Sequence, residues 1–298
     1  MKHSNGLDPE KEMPPIRLGA VDYLNAQPLV YGLEKRQDLF ALRFDPPSLC
    51  AELLHDDSID VGMIPAIEYC RGPEYRIVPG MAIVSARKVA SVALFTTKPL
   101  AGIRTVAADT SSRTSIALLR ILCAERFRLS PEFRPMAPDP GAMLAACDAA
   151  LIIGDPALYL DPVESKVEKI DLGEEWNAMT GLPFVWAFWA GRPGVVSLEA
   201  VQALTHARDA GVAASTQIAA EYCGPARAAL GKAYLRDNIQ YAMGGRETAG
   251  VLMFYQLAAR HGLIEASREP LFFPSTGSEQ ARSTGSGQAR SAGSGQGR

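Results

Sequence analysis

Short β-prone apolar runs alternate with helical patterns along most of the chain, and this alternation constrains the fold more than any other feature. Runs with the length and residue types of buried strands lie at 16–21, 61–64, 77–85, 90–96, 105–108, 149–154 and 184–189. Past Pro193 the pattern becomes almost wholly helical, with helices predicted at 198–210, 217–223, 234–243 and 246–261. Strands that alternate with helices predict an α/β protein with mainly parallel sheets.

Two breaks in the pattern predict that the chain folds into two lobes. Pro- and Gly-containing segments interrupt it at 98–102 and again at 191–194. If the chain crosses between lobes at both breaks, residues 14–98 and 191–274 form a discontinuous first lobe. Residues 99–190 then form an inserted second lobe, and a cleft separates the two. Clefts of this kind are where small-molecule sites gather.

One predicted strand-to-helix loop is unusually rich in hydroxyl groups. After the strand at 105–108 come Thr110, Ser111, Ser112, Arg113, Thr114 and Ser115, and then a helix. The first amides of a helix have no backbone partners, and the helix dipole favours negative charge there. Hydroxyls and a guanidinium at that end predict a carboxylate or phosphate site. The alternative is a plain helix cap, which needs only one or two such residues.

Two further strand-to-helix loops, 22–28 and 154–157, have the composition of ligand-binding loops. Ligands of open α/β sheets bind at the carboxyl ends of strands, so all three loops are predicted to meet at one site. Asn25 is the carboxamide of the first loop, although a turn residue would look the same. Asp155 suits a helix-capping position, which would by itself explain it. Ser91 opens a predicted strand, where a polar residue can simply mark the strand end.

Composition disfavours several classes of protein. A net charge of -3 over 298 residues gives no general attraction for nucleic acid or anionic lipid. The five cysteines are scattered and form no CxxC pair, which favours reduced thiols in a cytoplasmic protein. No histidine lies in the three loops, and no Gly-rich phosphate loop, nucleophile elbow or HExxH motif occurs. We expect no metal or nucleotide cofactor and no nucleic-acid or membrane partner. The sequence leaves the oligomeric state open.

The two ends of the chain differ from the rest. The first fifteen residues are polar and have no apolar core of a secretory signal. Residues 275–298 read STGSEQAR, STGSGQAR and SAGSGQGR, three octads of low complexity. Such a segment has no apolar residue larger than Ala to bury, so it is predicted to be disordered.

Several segments resemble, in order, the motifs of the chorismate dehydratase family of menaquinone biosynthesis, the enzymes that open the futalosine route. They are VDYLNAQPL at 21–29, SVALF at 91–95, DTSSRTS at 109–115, GDPAL at 154–158, a Trp176 to Phe184 segment and a late segment at 234–250. The hydroxyl-rich turn is the most specific of them. The resemblance spans roughly Ile16 to Gly262 and leaves out both ends. It implies a two-lobed fold like that of type II periplasmic binding proteins, with the active site in the cleft.

The resemblance also implies a reaction and roles for individual residues. The family converts chorismate, a dicarboxylate, into 3-[(1-carboxyvinyl)oxy]benzoate and water. Asn25 and Ser91 are implied as catalytic residues, with Asn25 near the reacting centre and Ser91 on a substrate carboxylate. The implied substrate-binding residues are Ser111, Ser112, Arg113, Thr114, Ser115 and Asp155. With no histidine in the loops, the base is either a carboxylate of the substrate or one of Asp22, Asp109 and Asp155.

Two alternatives stay open at this point. The sister family of 1,4-dihydroxy-6-naphthoate synthases shares the implied fold and is also a lyase. Its members have a histidine near the active site, which the loops of this chain lack. The other alternative is a non-enzymatic cytoplasmic protein that binds a small anion.

Overall fold

The computed structural model describes residues 14–275, which form two β-sheets flanked by helices. The strands are β1 (Ile16–Ala20), β2 (Phe40–Phe44), β3 (Val61–Pro65), β4 (Arg76–Ile77), β5 (Gly80–Ser85), β6 (Val92–Thr96), β7 (Thr105–Asp109), β8 (Glu132–Met136), β9 (Ala149–Ile153), β10 (Glu168–Asp171), β11 (Phe184–Gly191) and β12 (Gln240–Met243). The α-helices are α1 (Gln27–Val30), α2 (Pro47–His55), α3 (Glu68–Arg71), α4 (Arg113–Leu122), α5 (Pro140–Ala146), α6 (Gly154–Tyr159), α7 (Leu172–Thr180), α8 (Leu198–Ala213), α9 (Ser215–Cys223), α10 (Ala228–Asp237) and α11 (Gly245–Arg260). A 3-10 turn at Leu24–Ala26 precedes α1.

Each sheet forms the centre of one lobe. The first sheet has the strand order β12-β5-β11-β3-β1-β2, with β4 also paired to β11, and the second has the order β10-β6-β9-β7-β8. Parallel pairs join β1 to β2 and β3, and β7 to β8 and β9. The other pairs, which involve β5, β6, β10, β11 and β12, are antiparallel. The α/β class is therefore confirmed. The prediction of mainly parallel sheets is wrong, because the strands beside each crossing are antiparallel to their neighbours.

The chain crosses between the lobes earlier than the sequence breaks suggest. β6 lies before the predicted boundary at 98/99, yet it belongs to the second sheet. β11 lies before the predicted boundary at 190/191, yet it belongs to the first sheet. The crossings therefore fall at 86–91 and within 172–183. The breaks at 98–102 and 191–194 are ordinary loops inside one lobe, since Pro and Gly mark any turn and not only a crossing.

A single buried carboxylate holds both crossings together. Asp171 accepts hydrogen bonds from the amides of Val89 at 3.0 Å and Ala90 at 2.7 Å, in the first crossing. It also accepts from the amides of Gly173 and Glu174, and so caps α7 in the second. Ala90 has a φ of 64°, an uncommon conformation for a residue with a Cβ. The first crossing, at 86–91, contains neither Gly nor Pro, so the local sequence does not mark it as a break.

The core of the first lobe is rich in aromatic side chains. Trp176 of α7 packs against Phe184 of β11 with ring centroids 5.2 Å apart, and Phe184 packs against Phe254 of α11 at 5.0 Å. Trp176 is fully buried, as expected for a core residue. Within residues 14–275, no helix has the length and apolar character needed to cross a membrane. The predictions for the polar start and for the octad tail fall outside the described residues.

Candidate active site

A cavity of about 550 Å³, counting the part open to solvent, lies between the two lobes. Its wall is mostly apolar and has five polar side chains. The first lobe supplies Val21, Tyr23, Asn25, Pro47, Met63, Pro65, Ile83, Trp186 and Ala187, and the second supplies Val92, Ser112, Thr114, Ser115, Ile153 and Gly154. The segments that follow β1, β7 and β9 reach it, as does the carboxyl end of β3, in the position where ligands of α/β sheets bind. A mostly apolar cavity with a few convergent polar groups is typical of a small-molecule site.

Three side chains of the hydroxyl-rich turn face the cavity. Ser112, Thr114 and Ser115 line it and are buried. Ser112 holds the N-cap position of α4, yet its side chain makes no capping hydrogen bond. Within residues 14–275, the structure records no hydrogen-bond partner for the hydroxyl of Ser112 or of Ser115. A plain cap therefore does not explain Ser112.

Thr114 is tied to the opposite lobe. Its hydroxyl oxygen accepts a hydrogen bond at 3.1 Å from the amide of Ile67, just beyond β3. A hydroxyl has one hydrogen to donate and two lone pairs. Thr114 can therefore still donate a hydrogen bond into the cavity while it keeps this bond.

Ser111 supports the wall from behind. Its hydroxyl and its amide donate to the same oxygen of Asp109, at 2.6 Å and 2.9 Å. Burial raises the pKa of Asp109, and these two bonds oppose the rise. Tyr23 is a wall residue whose pKa is raised chiefly by burial. Ser111 itself does not line the cavity.

Arg113 points away from the cavity, contrary to its implied role in the anion site. Its guanidinium donates to the buried Glu68 at 3.0 Å and also to Glu52. Burial pushes the pKa of Glu68 upward, but a hydrogen bond from His55 and the charges of Arg113 and Arg71 outweigh it and lower the pKa. Arg113 starts α4 in the second lobe, while Glu52 and Glu68 belong to α2 and α3 in the first. It is therefore an ion-pair link between the lobes.

Asn25 lines the cavity from the first lobe, and its backbone is held from behind. Its backbone carbonyl accepts from the hydroxyl of Tyr241 at 3.0 Å. Burial raises the pKa of the Tyr234 phenol of α10, and a hydrogen bond with Ser91 opposes the rise. Ser91 meets the same Tyr234 hydroxyl at 2.6 Å and does not line the cavity. Of the sequence-predicted pair, Asn25 reaches the cavity, whereas Ser91 is held by a buried tyrosine to which sequence reasoning gave no role.

Asp155 also lies behind the wall. One carboxylate oxygen accepts from the hydroxyl of Tyr222 at 2.6 Å, and the other accepts from the amide of Leu24 at 3.4 Å. Burial raises the pKa of Asp155, against the effect of the Tyr222 bond. Both partners belong to the first lobe, so Asp155 is another link between lobes. Its neighbour Gly154 has a φ of 64°, and a Cβ there would come within 3.2 Å of the Tyr23 ring.

The position of the carboxylates limits the chemistry of the cavity. Neither a carboxylate nor an imidazole nor an amine belongs to the wall that residues 14–275 form. Asp22, Asp109 and Asp155, the protein carboxylates that sequence analysis offered as bases, all lie outside it. Tyr23 is the one titratable side chain in that wall, and its raised pKa keeps it protonated near neutral pH. The polar side chains of this wall can therefore donate and accept hydrogen bonds, but none of them is a base near neutral pH.

Sequence reasoning missed part of the wall. Trp186 lines the cavity, with its indole nitrogen donating to the hydroxyl of Ser85 at 3.0 Å. The sequence left open whether Trp186 is a core or a cleft residue. Tyr23 stands two residues before Asn25 in the same loop, so the sequence could have predicted that it lines the cavity. Tyr234 carries no local signal, since it comes from a helix more than two hundred residues from Asn25 in the chain.

Two lobes joined by two crossings around a mostly apolar cavity define the class of two-lobed, periplasmic-binding-protein-like folds. A protein of Archaeoglobus fulgidus superimposes with a TM-score of 0.68 at 17% identity, covering 84% of this chain and 98% of that one. The alkanesulfonate-binding protein SsuA of Xanthomonas axonopodis pv. citri, solved with MOPS bound, gives 0.62 at 18% identity, covering 87% and 96%. At these identities the likeness establishes the fold alone.

The sequence comparisons establish the family. The family model described as menaquinone biosynthesis matches residues 16–260. A chorismate dehydratase of Thermus thermophilus is 30% identical over 227 residues, which cover 70% of this chain and 81% of that relative. This chain belongs to the menaquinone biosynthesis family.

Proposed function

We propose that this protein is a chorismate dehydratase, a lyase that removes water from chorismate to give 3-[(1-carboxyvinyl)oxy]benzoate. One observation carries the proposal beyond family membership. The unpaired hydroxyls of Ser112 and Ser115, at the start of α4, face the same cavity as Asn25 in a wall without charged side chains. Such a cavity suits an anion that brings its own charges, since a helix N-terminus and neutral donors stabilise carboxylates.

The wall divides into regions that match the parts of chorismate. The ring and the vinyl group pack against the apolar side, where Trp186, Met63 and Ile83 lie. A carboxylate accepts hydrogen bonds from Ser112, Thr114 and Ser115 at the first turn of α4. Asn25, on the opposite lobe, donates near the reacting ring carbon. Closing the two lobes around the substrate fixes these groups and excludes water, so positioning supplies much of the rate enhancement.

Proton transfer is assigned to the substrate. A ring C–H bond breaks and its proton passes to a carboxylate of chorismate, while the C–O bond of the ring hydroxyl breaks. The departing hydroxide takes up that same proton from the carboxylic acid and leaves as water, which restores the carboxylate. The electrons of the broken C–H bond complete the aromatic ring. The gain of aromaticity drives the reaction. This assignment is supported by the absence of any protein carboxylate from the wall formed by residues 14–275.

The other readings have less support. In the dihydroxynaphthoate synthases the resemblance implies a histidine near the active site. Here His55 bonds Glu68 and Tyr75, and His261 bonds Glu125, all away from the cavity wall. The structural likeness to sulfonate-binding proteins leaves a binding protein without turnover as the rival to be tested. The reduced state of the cysteines supports a cytoplasmic location for the proposed reaction.

The test is turnover of chorismate by the purified protein, followed by ultraviolet absorbance and by mass analysis of the product. We expect a benzoate to accumulate that is lighter than chorismate by one water molecule, about 18 mass units. No metal or nucleotide should be needed. EDTA treatment should leave the rate unchanged. Tight binding of chorismate without conversion would contradict the proposal and favour the binding protein. Activity that EDTA abolishes and a divalent cation restores would contradict its cofactor-free form.

A further inference from the structure

Trp186 stands at an irregular position of β11. Val185 pairs with Val84 of β5 and Ala187 pairs with Ile83, so Trp186 is an extra residue without a partner on that strand. Such an extra residue makes a β-bulge, and bulges beside binding sites redirect side chains. Consecutive side chains of a regular strand point to opposite faces, yet Trp186 and Ala187 both line the cavity. The bulge therefore accounts for the place of the indole in the wall.

Three contacts hold Trp186 in this position. Its backbone carbonyl accepts a hydrogen bond at 3.0 Å from the amide of Ala66, just beyond β3. Its ring packs edge-to-face against Phe184, with the ring centroids 4.4 Å apart. Its indole nitrogen donates to the hydroxyl of Ser85 at 3.0 Å. Of these contacts, the bond to Ser85 determines which edge of the indole points away from the cavity.

Ser85 lies behind the wall, at the end of β5. It is buried and does not line the cavity. A Cβ on Gly173 would come within 2.8 Å of its hydroxyl oxygen, so the start of α7 packs directly against this group. An indole has one polar group, its N–H, and Ser85 binds it on the protein side. What the indole presents to a ligand is therefore hydrocarbon.

We propose that Ser85 is a positioning residue, which keeps the indole N–H of Trp186 on the protein side so that an apolar aromatic surface contacts the ring of the substrate. This inference rests on the proposed function, because the ring is that of chorismate. Without the Ser85 hydroxyl, the indole N–H is a buried donor without a partner, and the indole turns to find another acceptor. The substrate ring then loses its apolar contact in the ground state and in the transition state alike.

The experiment compares Ser85→Ala with a matched control in full-length protein. In Ser85→Ala the KM for chorismate should rise about 3- to 10-fold, the value of one neutral hydrogen bond, with kcat changed less than about twofold. The control is Thr96→Val, since Thr96 is equally buried and its hydroxyl bonds the carbonyls of Lys98 and Asp148 outside the cavity wall. That variant should lose thermal stability and keep the wild-type KM. An equal rise of KM in both variants would overturn the inference, because general loss of stability would then explain it.

A double variant and a spectrum test whether Ser85 acts through the indole. In the Trp186→Phe background, Ser85→Ala should not raise KM further, because phenylalanine has no N–H to hold. The chain has three tryptophans, so its ¹H–¹⁵N spectrum has three indole signals, and the one missing in Trp186→Phe belongs to Trp186. Ser85→Ala should shift that signal and leave those of Trp176 and Trp189 in place.

Several outcomes would overturn the inference. They are a wild-type KM in Ser85→Ala, an unchanged Trp186 signal, and an equal rise of KM in both backgrounds. A wild-type protein that does not convert chorismate would instead contradict the proposed function. In that case a titration of the Trp186 signal with chorismate still tests Ser85, because binding should be about 3- to 10-fold weaker in Ser85→Ala and equal affinities would contradict its role.

Discussion

The loop around Asn25 and the turn at 111–115 face each other across the cavity and hold their polar groups in opposite ways. The backbone of Asn25 is fixed by a 3-10 turn and by the hydrogen bond from Tyr241 to its carbonyl. The hydroxyls of Ser112 and Ser115 have no partner that the structure records within residues 14–275. The backbone of the first region is organised before a ligand arrives, whereas the second region is completed by the ligand. A dehydratase benefits from both, since the reacting end of the substrate needs a rigid group and the anionic end needs free donors.

The turn itself repeats this contrast on a smaller scale. Ser112 and Ser115 face the cavity, while Arg113, between them, turns outward to Glu52 and Glu68. Arg113 and Asp155 both have partners in the other lobe and lie outside the cavity wall. We therefore expect both to stabilise the fold, although sequence similarity implied that both bind substrate.

The largest expected effect comes from Asn25→Asp. The change barely alters the shape of the side chain but replaces a donor by a negative charge facing a dianion. Like charges brought together in a cleft cost several kcal/mol, so kcat/KM should fall about 100-fold or more. Asn25→Ala should cost less, since it only removes a hydrogen bond. Steady-state kinetics of both variants measure the difference.

Equal melting temperatures of the two Asn25 variants would show that the comparison reports on the site and not on folding. Near-normal turnover by Asn25→Asp would reduce Asn25 to a turn former, because Asp suits such turns as well as Asn does. The contrast between a preorganised loop and a ligand-completed turn would then fail.

Ser112→Ala tests the ligand-completed side of the comparison. A hydrogen bond to a charged group is worth about 1.5–3 kcal/mol, so kcat/KM should fall roughly 10- to 150-fold. Because the hydroxyl has no protein partner among the described residues, the melting temperature should stay close to that of the wild type.

Thr114→Ala is the matched variant for Ser112→Ala. It removes the acceptor of the Ile67 amide, so it should lower both kcat/KM and the melting temperature. Wild-type kinetics in both variants would show that the turn serves only to start α4.

Arg113→Met should give the smallest effect on catalysis and a clear effect on stability. It leaves Glu68, 2% exposed, with His55 and Arg71 as its remaining partners. We expect the free energy of unfolding in urea to fall by about 1–2 kcal/mol, with kcat/KM changed less than about threefold. A loss of kcat/KM as large as that of Ser112→Ala, without loss of stability, would return Arg113 to the anion site.

The pH dependence of stability should reveal the same ion pair. Glu68 has a lowered pKa in the folded protein, so it adds stability above its unfolded pKa of about 4.3. That contribution is lost as the pH falls through the folded pKa. Arg113→Met brings the folded pKa closer to the unfolded one, so the variant should lose less stability than the wild type on acidification. Urea titrations at pH 7 and below about pH 4 measure this difference.

Much of the fold could be predicted because its signals are local. The buried runs at 61–64 and 105–108 match β3 and β7, since all of β3 and the centre of β7 consist of buried apolar or small residues. The strands β2 and β8 gave no such run, because they are partly exposed and carry charged side chains. The helix predicted at 234–243 ends at Asp237, and Gln240–Met243 pairs with β5 as β12. Pairing with β5 makes this segment a strand, and local propensity does not reveal which strand will lie beside a segment.

The candidate site follows the same division. The three loops could be recognised because each ends a buried strand and carries turn and capping residues. The direction of each side chain could not, since the outward turn of Arg113 depends on Glu68 from another lobe. The partner of Ser91 could not be found for the same reason, because Ser91 and Tyr234 are 143 residues apart in the chain and meet only in the folded protein.

The most direct test of the account is a crystal structure of the protein with 3-[(1-carboxyvinyl)oxy]benzoate. The account predicts one carboxylate within hydrogen-bonding distance of the Ser112 and Ser115 hydroxyls at the start of α4. It also predicts that the ring packs against Trp186 and that the Asn25 amide lies beside the ring. A product molecule bound outside this cavity, or one whose carboxylates pair with Arg113 and avoid the hydroxyls, would contradict it.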